Sequence, residues 1–394
     1  MKKLLIYMPE NEIKPTGGPC GYLWNLKSEI KKNNDLIIDF LPCNNSSKSS
    51  FKSGIIKFYE LVTKKTAYIR AAGNIVSCKK KCASVDLNQY DAVHFHSTYK
   101  LYMAKDSLEN YKGKVILTSH SPKALHKEFI EDYITEDERR KFKSILKNLY
   151  IMDEYSFNRA DAIIFPCKEA EEPYYHSWVD YPSIHEKNAL KYHYVPTGIV
   201  GKTAMTSREN VRKLYGIPDN AFLICYVGRH NEVKGYDFLK DIGKIILKKY
   251  SNVYFIVAGK EEPLKGLDNS RWIECGWTQD AASIIHASDL FILPNKETYF
   301  DLITLEVLSL GTPIIMTRTG GNKYFEQYKT FGISYIDYGN IEEAMDTIAK
   351  YICLSNNEIN IIRNNNLQLF ENNFNTKIFY KKYLKTIINI LSLE

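Results

Sequence analysis

Long apolar runs are missing from this 394-residue sequence: no uninterrupted stretch reaches the roughly 18 residues of a membrane-spanning helix, so any membrane contact is expected to be peripheral. The first apolar run, Leu4-Leu5-Ile6-Tyr7-Met8, stops at Pro9 and Glu10, too early for a secretory signal, and reads as a first buried strand. Clustered cysteines are missing too. Of eight, at 20, 43, 78, 82, 167, 225, 275 and 353, only Cys78 and Cys82 are near neighbours, a poor zinc signature that leaves reduced thiols in a cytoplasm as the simplest account. No short-period repeat occurs, which excludes a solenoid. No nucleic-acid module is recognisable and the basic residues are spread, so nucleic acid is not an expected partner.

What is present is the composition of a folded protein, 44% hydrophobic and 25% charged, at a length that suits two ordinary α/β domains. A net charge of +7 admits phosphates or anionic lipid without choosing between them. The densest basic block, 52–81, holds Lys57, Lys64, Lys65, Arg70, Lys79, Lys80 and Lys81 among apolar residues. It reads either as a helix lying on anionic membrane or as a solvated helix with a core face.

Short β-branched runs alternate with longer helical segments, the pattern of βαβ units and parallel sheets. Strands are expected at 4–8, 36–41, 92–95, 115–119 and 162–165, and again at 222–227, 253–258, 272–274, 290–293 and 313–317. Helices are expected between them, notably over 136–160 and 236–249, with a last amphipathic helix over 378–393. The polar stretch 203–209 places a domain boundary near 199–218.

The chemistry concentrates at 226–324. Tyr226-Val-Gly-Arg-His-Asn-Glu-Val-Lys-Gly235 is a strand ending in glycine that presents Arg229 and Lys234 before the next helix. At the carboxyl edge of a parallel sheet two fixed cations suit an anion, with Arg gripping phosphate oxygens in pairs and Lys adding a compact charge. A lone Arg and Lys also make ordinary surface ion pairs. Downstream, Leu293 to Glu306 puts Glu297 and Glu306 at the two ends of a turn and helix, where a carboxylate can accept from sugar or ribose hydroxyls. Gly320-Gly321 permits close backbone approach to phosphate. In the first half, the glycine loop Pro15 to Gly21 follows the first strand, and His96 and His120 end two later strands at the same edge. Each is also explained by a turn or a strand cap. His94 is expected in the core, and Trp277 as a core or lid residue.

Gly-Arg-x4-Lys-Gly, then Pro-x-x-Glu, Phe and Leu-Glu, then Gly-Thr-Pro and Gly-Gly, resemble in order and spacing the retaining family-4 glycosyltransferases of GT-B fold. The resemblance covers the second half well and the first half loosely, through Gly17-Gly18, Asp91-x-x-His94-x-His96, the strand before His120 and Pro196-x-Gly198. It implies two Rossmann-like doubly wound domains facing across a cleft: an acceptor-side domain at 1–200, a nucleotide-sugar domain at 201–376 and a helix at 377–394 returning to the first. It further implies that Arg229 and Lys234 hold the donor pyrophosphate and that Glu306 meets the ribose. Gly17, Gly18, Gly320 and Gly321 would lie near phosphates and sugar, His96 near the reacting carbon and His120 on the acceptor side. One departure stands out. Thr298 occupies the position of the family's first Glu, eight before Glu306, and Glu297 stands one residue away, so either a bulge brings Glu297 to the sugar or Thr298 shapes that pocket differently.

The reaction implied is transfer of a sugar from a nucleotide-diphosphate donor, a UDP-sugar favoured, to a hydroxyl of a glycan or lipid-linked acceptor, with retention at the anomeric carbon. The setting implied is bacterial surface polysaccharide synthesis, in the cytoplasm or at the inner membrane face. The sequence contains no Asp-x-Asp motif of the kind that holds a metal in the other main glycosyltransferase fold, so no metal or cofactor is expected. The rival from another class is a non-catalytic partner that binds a nucleotide sugar or glycan and supports another transferase.

Overall fold

The structure, a computed structural model, describes residues 1–8, 13–15, 18–30, 36–41, 68–77 and 85–392. Gly17 and most of the basic block 52–81, including Lys79–Lys81, lie outside the described residues. The chain divides into two compact units, one of Met1–Pro166, Pro173–Val195 and Tyr380–Glu394, the other of Cys167–Glu172 and Pro196–Phe379. The breaks therefore fall at 195/196 and 379/380, a few residues from the boundaries at 200 and 376 read from sequence, and Cys167–Glu172 belongs with the second unit.

Among its described residues the first unit has six strands, β1 (Lys3–Tyr7), β2 (Ile37–Phe40), β3 (Ala92–Phe95), β4 (Lys114–Leu117), β5 (Ala162–Phe165) and β6 (Tyr192–Tyr194). They lie in the order β2-β1-β3-β4-β5-β6, and every pair is parallel. The second unit has β7 (Phe222–Val227), β8 (Val253–Ala258), β9 (Trp272–Gly276), β10 (Leu290–Leu293), β11 (Ile314–Thr317) and β12 (Ile333–Ile336), ordered β12-β11-β10-β7-β8-β9 and again all parallel. Counted from its own first strand this is the 3-2-1-4-5-6 order of a Rossmann sheet, and both units are doubly wound.

Burial follows from that topology. A parallel sheet covered on both faces has central strands apolar at every position, and β3, β5, β10 and β11 are buried throughout. In the second unit, Leu239, Ile242 and Ile246 of helix Tyr236–Lys249 pack into one core with Phe255, Val257 and Ile292. The order reverses between β1 and β3 in the first unit and between β7 and β10 in the second. At such a switch point adjacent loops leave the strands' carboxyl ends in opposite directions and open a crevice.

Two strands have no counterpart in the sequence reading. Both β6 and β12 are edge strands, and partial burial (Tyr192, His193 and Tyr194 all retain exposure) leaves little apolar pattern to detect. The single helix expected over 136–160 is three, Glu136–Lys141, Lys143–Lys147 and Tyr150–Arg159. It breaks at Phe142, whose φ of −113° and ψ of 28° leave the helical range, and again at 148–149. Leu146, Leu149 and Met152 then share one buried cluster with Ile69 and Ile75 of the helix at 68–76. Helix Gly18–Ile30 begins inside the stretch Pro15 to Gly21 that the sequence suggested as a glycine loop.

Candidate active site

In the second unit the loops after β7 and β10 flank the switch point and are tied together. Lys296 donates its N–H to the Val233 carbonyl at 3.0 Å. The β7 loop is held from within: the Tyr226 hydroxyl donates to the Arg229 carbonyl at 2.8 Å, and the Asn231 side chain accepts the Lys234 N–H at 2.9 Å. Buried His230 stacks flat on Tyr236, centroids 3.9 Å apart, and burial pushes its imidazole below the ordinary range. Gly235 turns the loop into helix Tyr236–Lys249 at φ 67°, and a Cβ there would stand 1.7 Å from the Pro294 carbonyl oxygen. Only glycine fits that approach.

Arg229 is exposed on this loop. Lys234 is not left to solvent: its ammonium lies 2.8 Å from both carboxylate oxygens of Asp301, which also accepts from the Asn295 amide. Burial raises the Asp301 carboxyl, but the Lys234 charge and these hydrogen bonds outweigh it and hold the group below the usual carboxylate value. Asp301 starts helix Leu302–Ser309, which carries Glu306 one turn on; Glu306 pairs with Lys202 at 3.2 Å. Sequence reasoning passed over Asp301 because one acid in an acid-bearing turn has no spacing signal. The pairing with Lys234, 67 residues away, exists only in three dimensions.

Gly320 and Gly321 pack against the chain itself. Gly320 has φ 43°, a Cβ there would lie 1.9 Å from the Thr298 carbonyl oxygen, and one on Gly321 would lie 2.1 Å from the Tyr299 carbonyl oxygen. The structure thus brings Thr298, Gly320 and Gly321 together. The Thr298 side chain is buried, while Glu297 beside it is half-buried. The Gly320 N–H donates to the Glu172 carboxylate at 3.2 Å, and Lys323 donates to the same carboxylate. Glu172 lies shortly after β5 in sequence, and no spacing signal singles it out. Trp277 is 73% exposed, which rules out the core half of the core-or-lid expectation.

In the first unit Gly18 opens helix Gly18–Ile30 at φ 67°, and His96 and His120 follow β3 and β4. His96 Nδ1 and His120 Nε2 are 2.8 Å apart, so one ring donates and the other accepts. Tyr22 packs on both, at 5.6 and 4.7 Å between centroids. His120 holds φ 59°, a strained conformation for a residue with a Cβ. Burial, reinforced by the neighbouring histidines, drives His96 well below the ordinary range; burial takes His120 to about 3, although its ring keeps some accessible surface. Both are neutral imidazoles at neutral pH. His96 Nε2 is buried and has no hydrogen-bond partner among the described residues. His94 takes the structural part expected of it: Nδ1 meets the Tyr383 hydroxyl and Nε2 the Thr118 hydroxyl, each at 2.8 Å. No group of three His, Cys, Asp or Glu among the described residues is placed to hold a metal ion.

The family model for glycosyl transferases group 1 matches residues 221–353, from the start of β7 to the end of the helix after β12. Among similar curated proteins is the D-inositol 3-phosphate glycosyltransferase of Corynebacterium urealyticum, 28% identical over 29% of this chain and 31% of its own length. Another is the Escherichia coli UDP-Gal:alpha-D-GlcNAc-diphosphoundecaprenol alpha-1,3-galactosyltransferase, 24% identical over 44% of this chain and 46% of its own. A third is the Staphylococcus aureus capsular polysaccharide biosynthesis glycosyltransferase CapM, 27% identical over 49% and 52%. The matches thus span from a third to about half of these relatives' lengths. Solved structures align over the whole chain. Anabaena HepE in complex with UDP and glucose has a TM-score of 0.60 at 13% identity, covering 100% of both chains; sucrose-phosphate synthase of Thermosynechococcus elongatus has 0.64 at 14%, also covering 100% of both. The chain has the GT-B fold, and the match to the model for glycosyl transferases group 1 lies within the second unit.

Proposed function

We propose that this chain is a retaining glycosyltransferase that moves a sugar from a UDP-sugar to a hydroxyl of a glycan or lipid-linked acceptor in bacterial surface polysaccharide synthesis. The observation that carries this is the loop cluster at the switch point of the second unit's sheet. There the β7 loop presents Arg229 and Lys234, the β10 loop brings Asp301 to Lys234, and Gly320-Gly321 lies against Thr298. Its sheet order is that of a nucleotide-binding Rossmann unit. The Escherichia coli relative is named for a UDP-galactose donor and a diphosphoundecaprenol acceptor, and HepE was solved with UDP.

In this reading the bond from the anomeric carbon to the diphosphate oxygen breaks and the bond to the acceptor oxygen forms on the same face. The acceptor proton passes to the departing phosphate oxygen, through an oxocarbenium-like state. The hardest charge to accommodate grows on the leaving diphosphate. Arg229, Lys234 and the Gly320 N–H stabilise it as fixed donors, without a metal or a cofactor. Glu306 meets the ribose, His96 the reacting sugar, and His120 the acceptor side. No enzymic nucleophile is assigned.

The test is nucleotide-diphosphate release from UDP-, GDP- and ADP-sugars, with and without chelator, with bacterial glycolipid as acceptor. Acceptor-stimulated release from a UDP-sugar that survives chelation, lowered by about two orders of magnitude or more in a folded Arg229→Ala variant, is the expected result. A second reading, a non-catalytic nucleotide-sugar binder, draws on one feature: Lys234 and the Gly320 N–H are each already engaged by a carboxylate. Nucleotide binding without release across the whole panel would favour it.

A further inference from the structure

Beside the histidine pair, the first unit contains a cavity of about 750 Å³. Ile75, Tyr99, Leu125, Phe129 and Met152 form its apolar walls, and His96 and His120 line it as well. All come from the first unit, chiefly from the helices at 68–76, Leu125–Tyr133 and Tyr150–Arg159. The charged side chains at its edge are Arg70 and Glu128, and Glu128 accepts from the Ser121 hydroxyl. A concave site of this size with apolar walls and a few convergent polar groups is the usual form of a site for a small organic molecule, the walls supplying affinity and the polar groups orientation.

One of the two lining histidines is under-satisfied. His96 is 2% exposed, its Nδ1 is used by His120, and its Nε2 has no partner among the described residues. A buried imidazole nitrogen left unpaired is unfavourable, and a hydroxyl group is the partner that satisfies it in either tautomer, since a hydroxyl both donates and accepts. The histidine pair lets that tautomer switch. With Nδ1–H of His96 donating to His120, Nε2 is an acceptor; with His120 donating, Nε2 carries the proton. A free sugar would satisfy the histidines but leave the walls of Ile75, Leu125, Phe129 and Met152 against water.

We infer that this cavity holds the apolar portion of the acceptor, so that the acceptor is an amphiphile, a hydrocarbon or aromatic body attached to the hydroxyl-bearing group, and not a fully water-soluble glycan. The inference rests on the transferase reading above and narrows its acceptor class. Phe129 and Leu125 select for the apolar body, and His96 and His120 face the hydroxyl-bearing end.

The experiment compares n-octyl β-D-glucopyranoside, below its micelle concentration, with methyl β-D-glucopyranoside, which has the same head and no chain. Binding to the full chain is followed by ligand-observed NMR, with UDP binding measured in parallel. The octyl compound is expected to bind roughly tenfold tighter or more, because each buried methylene adds to affinity. Phe129→Ser is expected to abolish that preference with UDP affinity unchanged, and Phe129→Leu to restore it. Equal binding of the two glucosides, or a chain preference that Phe129→Ser leaves intact, overturns the inference. Failure of the parent protein to bind UDP would instead overturn the transferase reading.

Discussion

At the residue scale the decisive groups are charges and imidazoles whose partners lie far away in sequence. Asp301 fixes the Lys234 ammonium by two contacts of 2.8 Å and neutralises it. Asp301→Asn keeps the shape but removes the charge. If Lys234 meets the donor phosphates, UDP should bind about fivefold tighter, on the order of 1 kcal/mol for one unit charge about 4 Å away screened as in water, while turnover falls because the ammonium is less firmly held. Calorimetric titration showing unchanged or weaker binding would separate Lys234 from the phosphates. The buried histidines make a second prediction. His94 and His96 are pushed below the ordinary range, first by burial and then by neighbouring imidazoles, so the folded chain binds their protons less readily than the unfolded chain. Stability is therefore full above the unfolded value of about 6.5 and is lost as pH falls below it, by up to roughly 1.4 kcal/mol per pH unit for each buried ring. The urea midpoint of the first unit, read by hydrogen exchange in β3, should drop between pH 7 and pH 5 by less in His96→Gln than in the parent.

At the scale of elements, loops are placed by glycine and by carboxylates. Gly235 at φ 67° lets helix Tyr236–Lys249 begin directly against the Pro294 carbonyl, where a Cβ would stand at 1.7 Å. Gly235→Ala is expected to destabilise the second unit by at least about 2 kcal/mol, from the left-handed backbone and the forced separation of the two loops, seen as a lowered urea midpoint. The Cys167–Glu172 segment follows β5 in sequence yet belongs with the second unit, where Glu172 takes the Gly320 N–H and the Lys323 ammonium. That carboxylate stands where the proposed function puts a donor phosphate. Glu172→Gln should tighten UDP binding several-fold, about 1 kcal/mol, through the freed cation and the weaker competing acceptor. An unchanged titration would show that Gly320 does not meet the nucleotide. Central strands such as β5, β7 and β10 announce themselves as unbroken apolar runs. The edge strands β6 and β12, Tyr-His-Tyr and Ile-Ser-Tyr-Ile, do not: one paired flank and partial burial lift that constraint, although β2 and β9, also at edges, keep enough apolar residues to be read.

At the scale of the whole molecule, the last helix links the two units in sequence. Thr376–Ser392 is one continuous helix, but its residues to Phe379 count with the second unit and those from Tyr380 with the first. Tyr383 and Ile387 are fully buried and Ile390 nearly so, and the Tyr383 hydroxyl holds His94. Truncation after Phe379 should therefore loosen the first unit selectively. Hydrogen exchange is expected to speed up in β3 and β4 and to stay slow in β7 and β10, with UDP binding retained. Equal loss of protection in both units would show that the helix stabilises the molecule as a single cooperative block.

The sequence by itself determined the two α/β units, ten of the twelve strands among the described residues to within a residue or two, and the family resemblance of 226–324. Each of these is encoded locally, in apolar runs of fixed period and in short spacings around glycine. Arg229, Lys234, Glu306 and Gly320-Gly321 were singled out on the same kind of local spacing. Tertiary structure alone decided that Lys234 faces Asp301, that Glu172 crosses to Gly320, that His96 pairs with His120, and that apolar side chains from three helices enclose a cavity beside that pair. Those contacts join residues 24 to 148 positions apart. Two side chains so far apart meet only after each has been fixed on its own sheet edge or helix, and no local pattern carries the information that they will.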